Sequence, residues 1–130
     1  MTARELAVRR RIFEPFAATG SPPDAAKLDG DALAALERHH VVVLRDGRIH
    51  MAHPFAGYRD GTRVDAPDGR SWWGNCAWDG LGIVAALGLD DATLLSGGLT
   101  VHIRGGAIVD HALFHVAVPA RHWWDDIEHT

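Results

Sequence analysis

The chain has 130 residues, a length that suits one compact domain or a small helical lobe joined to a small α+β core. A net charge of −4 with neutral histidines argues against an overall basic surface for nucleic acid or for an anionic membrane. One cysteine excludes an internal disulfide and favours a reduced, cytoplasmic setting, the N-terminus lacks the apolar core of a signal peptide, and no apolar run approaches the roughly 18 residues of a transmembrane helix.

Residues 1–56 show the periodicity and turn signals of three short helices followed by a β-hairpin. Ser21 and Asp31 are the predicted N-caps of the second and third helices, and Asp46-Gly47 is a typical two-residue hairpin turn. The predicted elements are helices over 3–18, from Pro22 and from Asp31 to His39, and strands over 41–44 and 48–53. This order of elements predicts a winged-helix-like lobe.

A winged-helix outline raises the question of DNA binding, and the local charge argues against it. The predicted second and third helices carry more acidic than basic residues: Asp24, Asp29, Asp31 and Glu37 against Lys27 and Arg38. A recognition helix normally presents more Lys and Arg to DNA. We therefore expect a structural lobe or a homodimerisation element here, and no nucleic-acid partner.

Residues 57–130 alternate turn signals with short β-prone segments around one apolar helix, which predicts an α+β core with a small antiparallel sheet. The helix is predicted over Cys76–Leu87, with Asn75 as its N-cap and the following glycine as its end. Gly80 and Gly82 weaken this helix by about 1 kcal/mol each against alanine, which indicates a close backbone approach there. The predicted strands are 62–66, 70–73, 99–104, 107–109 and 112–118, and a short helix or turn follows over 121–128.

Cys76 is the first candidate for chemistry, because it falls in the first turn of the predicted helix. Backbone N–H groups and the helix dipole at that position favour a thiolate. Asp79 lies three residues on, on the same helix face, and a carboxylate beside a thiol can move protons, although it also tends to raise the thiol pKa. The alternative is an inert cysteine that serves as a small core residue.

The cysteine lies in the segment Ser71-Trp72-Trp73-Gly74-Asn75-Cys76-Ala77-Trp78-Asp79-Gly80-Leu81-Gly82. With its aromatic residue, its C-x-x-D pair, its leucine and the apolar helix that follows, this segment resembles the active-site segment of the bacterial organomercurial lyases, the alkylmercury lyase family. The run from Phe114 to Trp124 resembles the late strand of that family, its Val-Pro step and the tryptophan after it. The predicted winged-helix lobe also matches the organisation of the family.

The resemblance implies a specific reaction, in which a cysteine thiolate captures the mercury of an organomercurial and a second cysteine thiolate completes the attack. An aspartate then delivers a proton to the leaving carbon. Carried over to this chain, the resemblance makes Cys76 the first thiolate and the ligand of the soft metal, and Asp79 the proton carrier. No organic cofactor is implied. The expected partners are an organometal or other small-molecule substrate and small cellular thiols.

The chain departs from the family at the second cysteine. In the family that cysteine lies just before the late strand, where this chain reads Ile108-Val109-Asp110-His111, and the known members are also longer. Three alternatives follow. Asp110, His111 or an external thiol substitutes for the missing thiolate; or only metal binding survives; or Cys76 is the nucleophile of a different small-molecule lyase or hydrolase, with Asp79 as its acid–base group.

Aromatic residues and histidines supply the remaining candidates, since five tryptophans are many for a chain of this length. Trp73 and Trp78 are predicted to wall an apolar substrate pocket beside the cysteine, or else to pack the core between the helix and the C-terminal segment. Asp110 and His111 are the predicted polar substrate-binding residues. A metal site formed by His111 and His115 with the C-x-x-D pair is a further alternative to histidines that are hydrogen-bonded or exposed.

Overall fold

Helix α1 spans Ala3–Thr19 in the computed structural model, which describes residues 1–129. Thr2 caps its N-terminus by accepting a hydrogen bond from the Glu5 N–H, and Gly20 ends it with a φ of 70°. Its buried face carries apolar residues at helical spacing: Val8, Ile12 and Phe16. The predicted first helix is confirmed, and its apolar stripe faces the core.

The next two helical segments begin at aspartates other than the predicted capping residues. A 3₁₀ turn spans Ala25–Lys27, and helix α2 spans Gly30–Arg38. Each follows an aspartate whose side chain accepts a backbone N–H of the first turn: Asp24 and Asp29. Ser21 and Asp31 are therefore not the caps. Asp31 lies inside the first turn of α2, where a negative charge still suits the helix dipole.

A three-stranded antiparallel sheet follows the helices, in the order β1-β2-β3. Its strands are β1 Val42–Arg45, β2 Arg48–Ala52 and β3 Phe55–Ala56. Asp46 and Gly47 turn between β1 and β2 with φ values of 49° and 70°, the positive angles that a type I′ hairpin needs. The predicted hairpin is confirmed. Strand β3, which the sequence pattern did not indicate, pairs with β2.

A five-stranded antiparallel sheet forms the second half of the fold, in the order β5-β4-β6-β7-β8. Its strands are β4 Thr62–Asp65, β5 Ser71–Gly74, β6 Ala92–Ser96, β7 Leu99–Arg104 and β8 Ala107–Ile108. The two hairpins predicted here, β4-β5 and β7-β8, are confirmed. Strand β6 was not predicted, although it lies between β4 and β7 at the centre of the sheet. The fold class is α+β.

Helix α3 spans Ala77–Leu87, ends at Gly88 with a φ of 61°, and packs against β4, β5 and β6. Its two internal glycines lie where neighbours come close. A Cβ on Gly80 would lie 2.7 Å from Thr62 Cγ2, and one on Gly82 would lie 3.1 Å from Pro54 Cβ. The predicted close approach is therefore confirmed. Within residues 1–129, no helix is long and apolar enough to cross a membrane.

The helices of residues 1–56 and the five-stranded sheet share one buried core. Trp72 in β5 is 0% exposed, and its Nε1–H donates to the Ala17 carbonyl of α1 at 3.0 Å. Buried apolar residues continue from α1 and α2 into α3 and β6: Phe16, Leu36, Ile83 and Leu94. Because the two halves pack together, the N-terminal elements help to hold the sheet that carries α3. The division into residues 1–56 and 57–130 stays a prediction.

The C-terminal segment differs from its prediction. Residues 112–118, predicted as a strand, have no regular secondary structure, and Leu113 is 99% exposed. Two 3₁₀ turns follow, over Ala120–His122 and Ile127–His129. The strand prediction is wrong because local β propensity produces a strand only where a neighbouring strand supplies hydrogen bonds, and this segment pairs with neither sheet. Residues 110–129 are called the C-terminal cover below.

Candidate functional site

Cys76 lies at the N-cap of α3, at the point where β5 passes into the helix. Its φ of −135° and ψ of 179° are extended, so the helix begins at the next residue. The predicted cap, Asn75, has a different role: its side chain accepts a hydrogen bond from the Tyr58 hydroxyl and donates one to the Ile127 carbonyl at 2.8 Å. The strand-to-helix junction therefore presents the thiol beside the first turn of α3.

Cys76 and Asp79 form a capping box, the reciprocal arrangement that closes many helix N-termini. The Cys76 N–H donates to Asp79 Oδ2 at 3.3 Å, and Cys76 Sγ lies 3.8 Å from the same oxygen. The structure thus brings together the two residues predicted as the catalytic pair. Their spacing serves the helix cap and also holds a carboxyl group against a thiol.

The environment of Cys76 favours the neutral thiol. Burial raises the pKa of Cys76 above its usual value, and the negative charge of Asp79 adds to the rise. Backbone N–H groups of Asp79 and Trp78 act in the opposite direction, as a helix N-terminus should, but they do not cancel the rise. The surroundings of the sulfur therefore oppose the predicted thiolate rather than favour it.

A cavity of about 510 Å³ adjoins Cys76 and Asp79. Ring-bearing side chains dominate its walls: Trp78, Phe114, Trp123, Trp124, His40, His53 and His115. The other lining residues are small, apolar or amide-bearing: Asn75, Ala77, Ser96, Leu113, Val116 and Ile127. The space is concave and mostly apolar with a few polar groups, which is the usual character of a small-molecule site.

The C-terminal cover supplies one wall of this cavity through side-chain contacts. Trp124 stacks on His40 with ring centroids 4.0 Å apart, and Phe114 lies 5.8 Å from Trp78 between centroids. Near the chain end, Glu128 Oε1 lies 2.9 Å from an Arg45 guanidinium nitrogen and 2.6 Å from His50 Nε2. Polar and aromatic contacts, rather than a buried apolar stripe, therefore hold the cover over the thiol.

The remaining predicted substrate-binding residues lie apart from Cys76, with the exception of Trp78. Trp73 lines a separate shallow depression with Arg63 and the Gly97-Gly98 turn. Asp110 accepts a hydrogen bond from the His102 backbone N–H and lies 3.0 Å from His102 Nδ1, contacts that hold the pKa of Asp110 below its usual value. His111 is exposed and lies outside the cavity lining. Asp110 and His111 therefore do not meet the thiol in this structure.

The described part of the chain contains no set of side chains that could ligate a resident metal ion. Among residues 1–129, no three or more His, Cys, Asp or Glu side chains come close enough to hold a metal ion. His115 lines the cavity, but the predicted set of His111, His115 and the C-x-x-D pair does not assemble. A soft metal at this site would therefore be bound by one sulfur, as substrate or cargo.

His53 is the neighbour of the C-x-x-D pair that the sequence pattern did not reveal. Its Nδ1 lies 4.0 Å from Asp79 Oδ1, and it lines the cavity with both members of the pair. It follows β2, more than twenty positions before Cys76, and no local spacing connects the two. The next residue, Pro54, lies close to Gly82 of α3, so tertiary packing rather than local spacing brings His53 to this place.

Comparison with protein-family models, with curated protein sequences and with solved structures finds no match to this chain. The geometry around Cys76 therefore carries the functional proposal. Its three components are a half-buried thiol whose pKa is raised by burial, a carboxyl group 3.8 Å from the sulfur, and an apolar cavity walled by rings.

Proposed function

We propose that this chain is an organomercurial-lyase-like enzyme, in which Cys76 captures a soft metal or organometal and Asp79 protonates the leaving carbon. The observation that carries the proposal is the position of Cys76 Sγ, which lies 3.8 Å from the Asp79 carboxyl group and adjoins an aromatic-walled cavity. In this proposal residues 1–56 are the winged-helix-like lobe of such an enzyme, and its setting is the reducing cytoplasm.

The first step is exchange of a proton for mercury at the thiol. An organomercurial R–Hg–X reacts with the Cys76 thiol to give Cys76–S–Hg–R, while the thiol proton passes to the adjacent Asp79 carboxylate and X leaves as an anion. The raised pKa of Cys76 slows this step but does not prevent it, because a soft metal binds sulfur far more strongly than a proton does at neutral pH. The product holds the organic group R beside the carboxyl group.

The second step cleaves the carbon–mercury bond with a small external thiol, R′SH. The thiol sulfur bonds to mercury, Asp79 gives its proton to the carbon, and the products are R–H and Cys76–S–Hg–SR′. The proton of R′SH replaces the one that Asp79 lost. A second R′SH then releases Hg(SR′)₂ and restores the Cys76 thiol. Mercury stays divalent throughout, so the step needs no oxidant or reductant.

The cavity has the size and the surface that an organic group requires. A cavity of about 150 Å³ with apolar walls suffices to bind benzene, and this one measures about 510 Å³. The aromatic walls give the organic group an apolar surface beside the carboxyl group, which is placed to act as a general acid once it carries a proton. These features support cleavage of a short-alkyl or aryl organomercurial.

The test is to incubate the chain with phenylmercury acetate and an excess of glutathione, and to measure benzene by gas chromatography. We expect turnover in the wild type and a loss of at least about 100-fold in Cys76→Ser and Asp79→Ala, the scale of a lost catalytic group. Asp110→Asn is the matched control, because its carboxyl group is bonded to His102 outside the cavity. Unchanged benzene release in Cys76→Ser would contradict the proposal.

A second candidate is a protein that binds organomercurials without cleaving them, and the single cysteine favours it. One thiolate can hold R–Hg⁺, whereas cleavage needs further electron density from a second sulfur. This candidate predicts one equivalent of R–Hg on Cys76 by mass spectrometry, with no hydrocarbon released even when glutathione is in excess. Release of benzene in step with loss of the adduct would exclude it.

A further inference from the structure

Three aromatic side chains at the cavity beside Cys76 keep a large part of their surface exposed. Trp78 is 59% exposed, Phe114 is 48% exposed and Trp124 is 41% exposed, and all three line the cavity. Tryptophan and phenylalanine bury much apolar surface when they pack into a core, so rings left open to solvent are unusual. Exposed rings gathered around one concave space indicate a ligand that covers them.

The rings come from two elements that form opposite sides of the cavity. Trp78 stands in the first turn of α3, whereas Phe114 and Trp124 belong to the C-terminal cover. The Trp78 and Phe114 rings are tilted by 43° with their centroids 5.8 Å apart, and Trp124 stacks on His40. Because both elements line the same space, a ligand in the cavity contacts aromatic rings from α3 and from the cover.

The charged groups of the cavity are of one sign. Asp79 contributes a carboxyl group to the lining, and its side chain is 15% exposed. In the part of the chain that the structure describes, neither a lysine nor an arginine lines the cavity. Three histidines do, and they carry a charge only when they are protonated. An anion would therefore meet a carboxylate without a cationic partner, whereas a cation would be attracted.

Aromatic faces and a carboxyl group in one cavity match the chemistry of an organic cation. The face of an aromatic ring, and of tryptophan above all, attracts a cation that lies within about 6 Å of the ring centroid. An alkylated ammonium group also presents apolar carbon atoms to such walls. A neutral apolar molecule would use the rings but leave the carboxylate unpaired. The combination therefore favours a cation over a neutral or an anionic ligand of the same shape.

We propose that the cavity beside Cys76 is a binding site for small organic cations, namely quaternary ammonium and protonated tertiary amine groups with short alkyl substituents. The rings of Trp78 and Trp124 contact the alkyl groups, and Asp79 supplies the opposite charge. A cavity of about 150 Å³ holds benzene, so a space of about 510 Å³ holds a trimethylammonium group with a further substituent. This inference concerns reversible binding and does not rest on the proposed lyase function.

The test uses the Cys76 thiol as a reporter, with two reagents of opposite charge. Trimethylammonioethyl methanethiosulfonate is a cation and sulfonatoethyl methanethiosulfonate is an anion, and both attach to a thiol with loss of methanesulfinate. Their rate ratio on the folded chain, cation over anion, should exceed the ratio on free mercaptoethanol by about tenfold or more. Both reagents react with the same thiolate, so the ratio does not depend on the thiol pKa. A ratio no higher than that of mercaptoethanol would overturn the proposal.

Two substitutions separate the contribution of the rings from that of the charge. Trp124→Leu keeps an apolar wall but removes a ring, and Asp79→Asn keeps the shape but removes the charge. Each should lower the rate ratio by about threefold or more. Trp73→Leu, in the separate depression, is the matched control and should leave the ratio unchanged. Circular dichroism checks the fold of each variant, and Phe114→Leu replaces Trp124→Leu if that variant does not fold. An unchanged ratio in either test variant would overturn the combined recognition.

A second measurement needs no reaction with the ligand. Choline and dimethylbutanol, its neutral carbon isostere, are each titrated against the rate at which iodoacetamide alkylates Cys76. Choline should protect the thiol in a saturable manner, and dimethylbutanol should need at least about a fivefold higher concentration for the same protection. Equal protection by the two, or none by choline, would overturn cation binding. Neither probe contains mercury, so a failure to release benzene from phenylmercury would remove the lyase proposal and leave this one standing.

Discussion

Two tryptophans represent two regions of the molecule that are built in different ways. Trp72 belongs to the folded body, residues 3–108, and is 0% exposed, with its indole N–H bonded to the Ala17 carbonyl. Trp124 belongs to the C-terminal cover and is 41% exposed, with His40 and His53 as its ring neighbours. The body is held by burial, whereas side-chain contacts at its surface hold the cover.

The candidate site is divided between these two regions, with one side of the cavity formed by the body and the other by the cover. Cys76 and Asp79 stand at the N-terminus of α3, and two glycines of this helix allow it to pack closely against Thr62 of the sheet and against Pro54. The opposite wall is the cover, which has no strand pairing to hold it. The cavity therefore lies between α3, which is packed into the body, and a wall that has no strand pairing.

The largest expected effect is in the core of the body. Trp72→Ala should lower the free energy of unfolding by about 3–5 kcal/mol, because it removes a fully buried indole and leaves the Ala17 carbonyl without its donor. Urea unfolding followed by circular dichroism measures the change. A loss below about 1 kcal/mol would mean that the body is not held by this contact.

A methyl group at the helix–sheet contact should have the next largest effect. Gly80→Ala would place Cβ 2.7 Å from Thr62 Cγ2 and 3.0 Å from Leu94 Cδ2, so we expect a loss of about 1–3 kcal/mol. Gly30→Ala in α2 is the matched control, since a Cβ there meets nothing within 4 Å, and it should stabilise by up to about 1 kcal/mol. Equal changes in the two variants would refute the close packing of α3.

A substitution in the cover should lower the free energy of unfolding much less than the substitutions in the body. It should have a larger effect on how easily a reagent reaches the Cys76 thiol. Trp124→Ala should cost about 0.5–1.5 kcal/mol, the value of an exposed ring stack. Alkylation of Cys76 by iodoacetamide should accelerate, because Trp124 lines the cavity beside the sulfur. Trp73→Ala, in the separate depression, is the control for alkylation. A stability loss as large as that of Trp72→Ala would remove the distinction between body and cover.

The smallest effect concerns the charge next to the thiol. Asp79→Asn removes a negative charge that raises the pKa of Cys76, so at pH 8 alkylation should become about twofold faster.

The same shift determines how the free energy of unfolding depends on pH. A folded thiol that holds its proton more tightly contributes stability that is complete below the usual thiol pKa and is lost as the pH rises through the folded-state pKa. Alkylation rates of Cys76 measured against pH in the wild type and in Asp79→Asn check the predicted change in the thiol pKa. A slower rate in Asp79→Asn would contradict that prediction.

Local signals account for the elements that were predicted correctly. The apolar stripe of α1, the Asp46-Gly47 turn and the glycine that ends α3 each act within a few residues, so the sequence alone indicates them. Strand β6 was missed, and a strand over 112–118 was wrongly predicted, for one reason. A strand forms where a partner strand lies beside it, and the distant strand β4 decides that for β6.

The sequence by itself determined that Cys76 and Asp79 lie side by side in the candidate site. Cys76 and Asp79 stand three positions apart at a helix N-terminus, and helix geometry alone brings such a pair together. Only the tertiary structure decided the rest: the cavity, the wall formed by Trp124, the placement of His53 beside the carboxyl group, and the burial that raises the pKa of the thiol. These features join residues that are distant in the chain, and their free energies depend on what surrounds each group after packing, which no local spacing records.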